Sequence, residues 1–204
     1  MSNLAVAPGA NLAAGPFSHA SYLIKRPFWS FFGRKFHVYA PDGSLAMFVR
    51  HPILKLKQEF TIFHDEGETQ ALLHIRQRKL LTLNAAYDIV DAPTGQKLGA
   101  IRSRGLKSIL RDTWDILDAN DQVVGLAQED SLAILRRLFP FLMGRWHLEM
   151  GGQQVGAIRQ IFAFFTKQFS LDISEAQGRI DPRFAMACAL LALMAEIHRQ
   201  EEAR

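Results

Sequence analysis

Residues 184–195 read Phe-Ala-Met-Ala-Cys-Ala-Leu-Leu-Ala-Leu-Met-Ala, twelve residues without a charged or amide side chain. A membrane-spanning helix needs ~20 such residues, whereas a run of about 10–14 is the length of a buried core helix. Ala, Leu and Met are strong helix formers. Asp181 and Pro182 stand ahead of the run as N-cap and first helical residue. A helix apolar on every face has to be surrounded by protein. The preceding 180 residues must therefore supply a sleeve. Polarity returns at Glu196, His198 and Arg199, so the helix is expected over about 182–198, emerging into water at its end.

The chain ahead of this run repeats itself. Four segments share an aromatic residue, a polar or His residue, a branched aliphatic, a turn and a returning strand of small residues. They begin at Phe36, Tyr87, Trp114 and Trp146, and a looser copy begins at Phe60. Three of them continue with glycine on the return: Gly99, Gly125 and Gly156. Residues two apart share one face of a strand. Pro-Asp-Gly, Pro-Thr-Gly, Asn-Asp and Gly-Gly supply the turns. Glycine in a returning strand allows strong bending or close approach by another backbone. Each unit is thus a β-hairpin. Five hairpins, one strand before them (Tyr22–Trp29) and one after (Phe169–Ser174) make about twelve antiparallel strands. A long antiparallel sheet removes its edges by closing, and a twelve-stranded barrel is too wide for strand side chains alone to fill. The helix needs a sleeve and the sleeve needs a filling. The expected fold is mainly β: a barrel of about twelve strands closed around the C-terminal helix, spanning 21–204.

One segment breaks the repeat. Ser131 to Pro140 has an N-cap at one end and a proline at the other, and would place Leu132, Leu135 and Phe139 on one helical face. It reads as a short helix between hairpins, either a lid over a barrel end or an interfacial membrane helix. Residues 1–20 are rich in Ala, Gly, Pro, Ser and Asn. Pro8, Gly9, Gly15 and Pro16 interrupt any apolar stretch that a secretory signal would need. They read as a flexible tail, and the compartment expected by default is the cytoplasm.

Chemistry-bearing motifs are few. The single cysteine, Cys188, lies in the most apolar run and reads as a small buried hydrophobe rather than a nucleophile. It also excludes Cys-based zinc sites. The seven histidines show no zinc-helix spacing. His147-Leu-Glu149 resembles a deaminase fragment without its Pro-Cys-x-x-Cys partner. There is no Gly-x-Ser-x-Gly, no Walker loop and no Gly-x-Gly-x-x-Gly. No cofactor, metal or catalytic residue is expected, and the chain does not read as an enzyme.

Charge is distributed unevenly. Residues 1–111 carry a balance of +8 and residues 112–204 one of −4, an asymmetry that suits an anionic partner or solvated strand faces. Two basic pairs, Lys25-Arg26 and Arg34-Lys35, bracket Phe28, Trp29, Phe31 and Phe32. Aromatics beside Lys and Arg are what an interfacial membrane contact uses. The competing reading makes these aromatics inward residues of the first hairpin. A second cluster, Arg102, Arg104 and Lys107, flanks Gly105 and could hold phosphate. Nucleic acid fits less well, because no aromatic–basic platform repeats along the chain.

The hairpin from Phe36 to Gly43, the units Tyr87-Asp-Ile-Val-Asp91 and Trp114-Asp-Ile-Leu-Asp118, and the strand Phe169-Ser-Leu-Asp-Ile-Ser174 running into the Ala/Leu-rich helix carry a family likeness. Over about 22–198 the chain resembles LURP-one-related and phospholipid scramblase-like proteins of the tubby-like superfamily. That resemblance implies a twelve-stranded barrel around a hydrophobic helix. It also implies a non-enzymatic module that binds anionic lipid peripherally, at the inner membrane face. The scramblase calcium segment is not matched: 166–183 holds only Asp172, Glu175 and Asp181 as acids, without the alternating Asp ligands of a calcium loop. Cysteines for palmitoyl anchoring are missing too. The alternative is a cytoplasmic protein–protein scaffold with no lipid affinity, in which the split charge meets complementary partners.

Overall fold

A computed structural model describes residues 15–27, 34–51, 59–78, 85–104, 113–130, 143–163, 166–176 and 178–202. Twelve strands form one closed antiparallel barrel in which each strand pairs with its neighbours in sequence and the last pairs with the first. They are β1 (Ser21–Pro27), β2 (Arg34–Tyr39), β3 (Leu45–His51), β4 (Glu59–Phe63), β5 (Ala71–Gln77) and β6 (Ala86–Asp91). Then come β7 (Lys97–Ser103), β8 (Thr113–Leu117), β9 (Val123–Glu129), β10 (Arg145–Met150), β11 (Gln153–Ile161) and β12 (Thr166–Asp172). A 3-10 turn (Ser174–Ala176) leads to the helix α1 (Pro182–Glu202). The five repeats are the five hairpins β2–β3, β4–β5, β6–β7, β8–β9 and β10–β11. The register Ser21↔Asp172 to Pro27↔Thr166 between β1 and β12 closes the ring.

The helix fills the ring. Phe184 to Ala187, Ala189, Leu190 and Leu193 have no solvent exposure, and they belong to one core cluster with the inward residues of all twelve strands. The first aromatic of each repeat points inward. Phe36, Phe60, Tyr87 and Trp146 are buried, and Trp114 packs half-buried against Tyr87 at 6.0 Å between ring centres. An apolar cavity of ≈ 10 Å³ lies among Trp114, Trp146, Ile158, Cys188 and Leu191. That is about one water's room.

All five hairpins slip register at the same point of the repeat: after Val38, Ile62, Ile89, Ile116 and Leu148. The returning strand gains one residue there, respectively Ala46, Leu72, Leu98, Val124 and Val155. A bulge of this kind sends two consecutive residues to the same side and sharpens strand twist. Hence Ala46-Met47, Leu72-Leu73, Leu98-Gly99 and Val155-Gly156 are adjacent buried pairs. The glycines stand beside the bulges because the next strand comes close. A Cβ on Gly125 would lie 2.2 Å from the Glu149 carbonyl oxygen, and one on Gly99 would lie 2.2 Å from that of Leu117 and 2.7 Å from the Phe184 ring.

The start of α1 is fixed by ions as well as by apolar packing. Asp181 caps it, its Oδ1 accepting from the Arg183 backbone N–H at 2.9 Å. The Arg183 guanidinium donates to Asp181 Oδ2 at 2.7 Å and to Asp91 Oδ1 at 2.9 Å, with both aspartates largely buried. Asp91 also holds the β6–β7 turn through Thr94, so one arginine ties the helix to the barrel rim.

Two sequence boundaries move. Residues 15–20, read as the end of a tail, belong to the barrel: Phe17 is buried in the core, and the Tyr22 hydroxyl donates to the Pro16 carbonyl at 3.0 Å. Burial outweighs the backbone N–H of His19 on that hydroxyl and pushes it up to about 12. The helix runs to Glu202, four residues past the expected end. The reading of Ser131–Pro140 as a helix falls outside the described residues.

Leu190→Ala is expected to cost about 2–5 kcal/mol by cavity formation, and Leu190→Asp to prevent folding because no partner for a charge exists in the barrel centre. Chemical denaturation followed by circular dichroism reads both. Burial pushes the Cys188 thiol up to about 12, so thiol reagents should label it only as fast as the protein unfolds. Gly125→Ala, which drives a methyl group into backbone, should cost about 1–3 kcal/mol in the same assay.

Candidate functional site

Among the described residues the helix fills the barrel interior, and the charged side chains lie on the outer face and the rims. Because the strands alternate in direction, the five tight turns share one end of the barrel. The chain passes from one hairpin to the next at the other end. The basic residues singled out in the sequence gather toward that joining end. Lys25 and Lys35 are on the outer face of β1 and β2, and Lys25 Nζ sits 4.8 Å above the Tyr39 ring. Arg26 alternates to the side of Tyr22 and Ile24, and is half-buried at the rim. Arg34 begins β2. Phe28, Trp29, Phe32 and Lys107 fall outside the described residues.

Arg102 and Arg104 do project from one strand face, as alternation requires, but they already hold an anion. Arg102 Nη2 donates to Asp115 Oδ2 at 2.9 Å, and Arg104 Nε to Asp115 Oδ1 at 2.7 Å. Asp115 is buried, while both guanidiniums are about 40% exposed. The phosphate reading of this pair is thereby weakened: a carboxylate from the next hairpin occupies the position the phosphate would take.

This pairing is general on one half of the barrel. Arg76 bonds Glu59 at 3.0 Å, and Arg78 bonds Asp88 at 2.7 Å. Asp121, in the β8–β9 turn, leans onto Arg78 and onto Lys97 (2.8 Å). Those two cations hold its carboxyl down to about 2. The β4–β5 turn leans likewise, its Glu68 2.7 Å from Arg50 and its Glu66 3.2 Å from His37. Acidic turns thus neutralise basic residues on neighbouring hairpins.

The arc β10-β11-β12-β1-β2-β3 is paired only in part: Glu66 and Glu68 hold His37 and Arg50 on it. Three like-charged pairs stand directly opposite each other across strands: Arg145↔Arg159, Arg26↔Lys167 and Lys35↔Arg50. Like charges in that relation are destabilising. Lys35, Arg145 and Arg159 are exposed, and no carboxylate among the described residues lies within ion-pair distance of them. At the end of β11, next to Arg159, Ile161 and Phe162 are 38% and 63% exposed. Sequence reasoning missed Arg145, Arg159 and Lys167, because they are isolated in the chain and become neighbours only through strand pairing.

His147 and His74 are held by neighbouring polar side chains. His147 lies between Asp130 (2.9 Å from Nδ1) and Glu149 (3.2 Å from Nε2), and His74 bonds the Thr61 hydroxyl at 2.9 Å. Among the described residues no group of three or more His, Cys, Asp or Glu could hold a metal. No helix among them is long and apolar enough to cross a membrane. Compared with known proteins, the chain finds no match among family models, curated proteins or solved structures.

The low Asp121 pKa fixes a sign for pH dependence. A carboxyl depressed in the fold adds stability that is complete above its ordinary value near ~3.9 and is lost as pH falls toward about 2. Asp121→Asn should therefore melt below wild type at neutral pH, and the gap should close between pH ~4 and ~2 in thermal scans.

Proposed function

We propose that this protein is a non-enzymatic module of the LURP-one and scramblase-like type that associates peripherally with anionic phospholipid surfaces. The observation that carries the reading is the set of exposed outer-face cations Lys35, Arg145 and Arg159, which no carboxylate among the described residues pairs with, Arg145 standing directly opposite Arg159 across β10 and β11. Such a surface is relieved by an external anion, and a membrane supplies many at once.

Magnitudes set the expected strength. Each Lys or Arg near an anionic membrane contributes ~1 kcal/mol. Lys35, Arg145 and Arg159 acting together would give about 3 kcal/mol, an affinity on the order of several millimolar. The Debye length shrinks from ~10 Å at 0.1 M salt to ~3 Å at 1 M, so binding must fall steeply with salt.

Sedimentation with vesicles tests this. The protein should pellet with phosphatidylserine vesicles at low salt, release at high salt, and ignore pure phosphatidylcholine. Arg159→Glu with Lys35→Glu should abolish pelleting. Arg102→Glu should lower stability more than binding, because its partner is Asp115. Wild-type protein that ignores anionic vesicles even at low salt would overturn the lipid reading in favour of a protein-binding scaffold.

A further inference from the structure

One arginine pair in this barrel shows what such a pair holds. Arg102 and Arg104 each take one oxygen of Asp115, at 2.9 and 2.7 Å, so a two-oxygen anion sits between two guanidiniums. A second arginine pair has the same means and no such carboxylate. Arg145 on β10 and Arg159 on β11 stand directly opposite each other. Their neighbours Trp146 and Ile158 are buried, so alternation sends both arginines to the outer face, where both are exposed. Residues opposite one another in this way have Cβ atoms about 4.5–5.5 Å apart, close enough for two guanidiniums to grip one ion. The carboxylates on the same stretch of sheet are committed elsewhere. Asp130 and Glu149 hold His147. Asp172 Oδ1 accepts from the Ser174 N–H at 3.0 Å and from its hydroxyl at 2.7 Å.

The surroundings of the pair narrow the ligand. Register puts Ser170 of β12 directly beside Arg159, and its side chain faces outward because Phe169 and Leu171 are buried. Guanidinium, guanidinium and hydroxyl thus form one row of donors across three strands. A phosphate monoester brings three terminal oxygens and a charge of about −1.5 to −2 at neutral pH, and arginine meets phosphate oxygens two at a time. Two residues along the same face of β11, Ile161 is 38% exposed. A soluble phosphate has no use for an aliphatic side chain beside its site. A lipid does, since the aliphatic group sits at the acyl boundary while the arginines reach the phosphates. Resting on the anionic-lipid reading above, we infer that Arg145 and Arg159 clamp a phosphate monoester presented by a bilayer, with Ser170 as a third donor and Ile161 against the acyl boundary. Charge summed over a few surface cations attracts any anionic lipid weakly; the paired forks add a choice of headgroup.

Vesicle flotation of the full chain tests this with phosphatidylcholine doped either with phosphatidylserine, a phosphate diester, or with phosphatidic acid, a monoester, the two matched in zeta potential. Wild type should bind the phosphatidic acid vesicles more tightly by roughly tenfold or more, the difference that added charge-assisted hydrogen bonds make. Arg159→Lys keeps the charge and removes the fork. It should bring phosphatidic acid down to the phosphatidylserine level, with phosphatidylserine binding and melting temperature near wild type. Ile161→Ser should weaken binding to both vesicles, and soluble glycerol phosphate should bind far more weakly in calorimetry than the phosphatidic acid vesicles do. Equal binding of the two lipids by wild type, or a preference that survives Arg159→Lys, overturns the clamp and leaves the electrostatic lipid reading standing. Glycerol phosphate binding as tightly as phosphatidic acid, or Ile161→Ser binding vesicles as wild type does, overturns the bilayer as the source of the phosphate. Wild type that binds neither anionic vesicle brings down both readings.

Discussion

Everything in this molecule depends on the mutual burial of one helix and one sheet. Residues 184–195 have no polar face to offer water, and a twelve-stranded ring is too wide to close over strand side chains alone. Each satisfies the other: helix and strand residues form a single apolar cluster. Among the described residues the helix takes up the barrel interior. Beside Cys188 and Leu191 there is room for about one water.

The fit of sheet to helix is achieved by repetition. A bulge at one position of every hairpin gives the returning strand a second consecutive inward residue and the extra twist that closure requires. Where the next backbone comes nearest, Gly99, Gly125 and Gly156 remove the side chain. At Gly99 the space is shared with Phe184, so that one glycine serves both the closure of the sheet and the entry of the helix.

On the outer surface the same topology sorts charge. Turns rich in Asp and Glu lean onto neighbouring hairpins and hold Arg78, Lys97 and Arg50, while Asp115 takes Arg102 and Arg104. The arc from β10 to β3 lacks such neutralisation at Arg145, Arg159 and Lys35. The turns at one end carry acidic side chains beside the exposed Val123, while at the other Ile161 and Phe162 are exposed near Arg159.

The helix, its cap at Asp181 and Pro182, the five hairpins and their glycines were legible in the chain because each rests on local chemistry: helix propensity, alternation, turn residues and the absence of a Cβ. The strand count followed, and closure followed from the helix that had to be wrapped. Contacts between residues distant in sequence were not legible. The Arg183–Asp91 tie spans 92 positions. Asp115 looked like one polar residue of a repeat until pairing placed it between two arginines. Phe17 sits in a Gly- and Pro-rich stretch whose composition says tail, yet it is buried because Tyr22 anchors the segment through Pro16. The basic arc shows the same limit: Arg145 and Arg159 are fourteen residues apart and become direct neighbours only through register. Local sequence determines which elements form; the register and closure of the sheet decide which charges meet and which are left facing solvent.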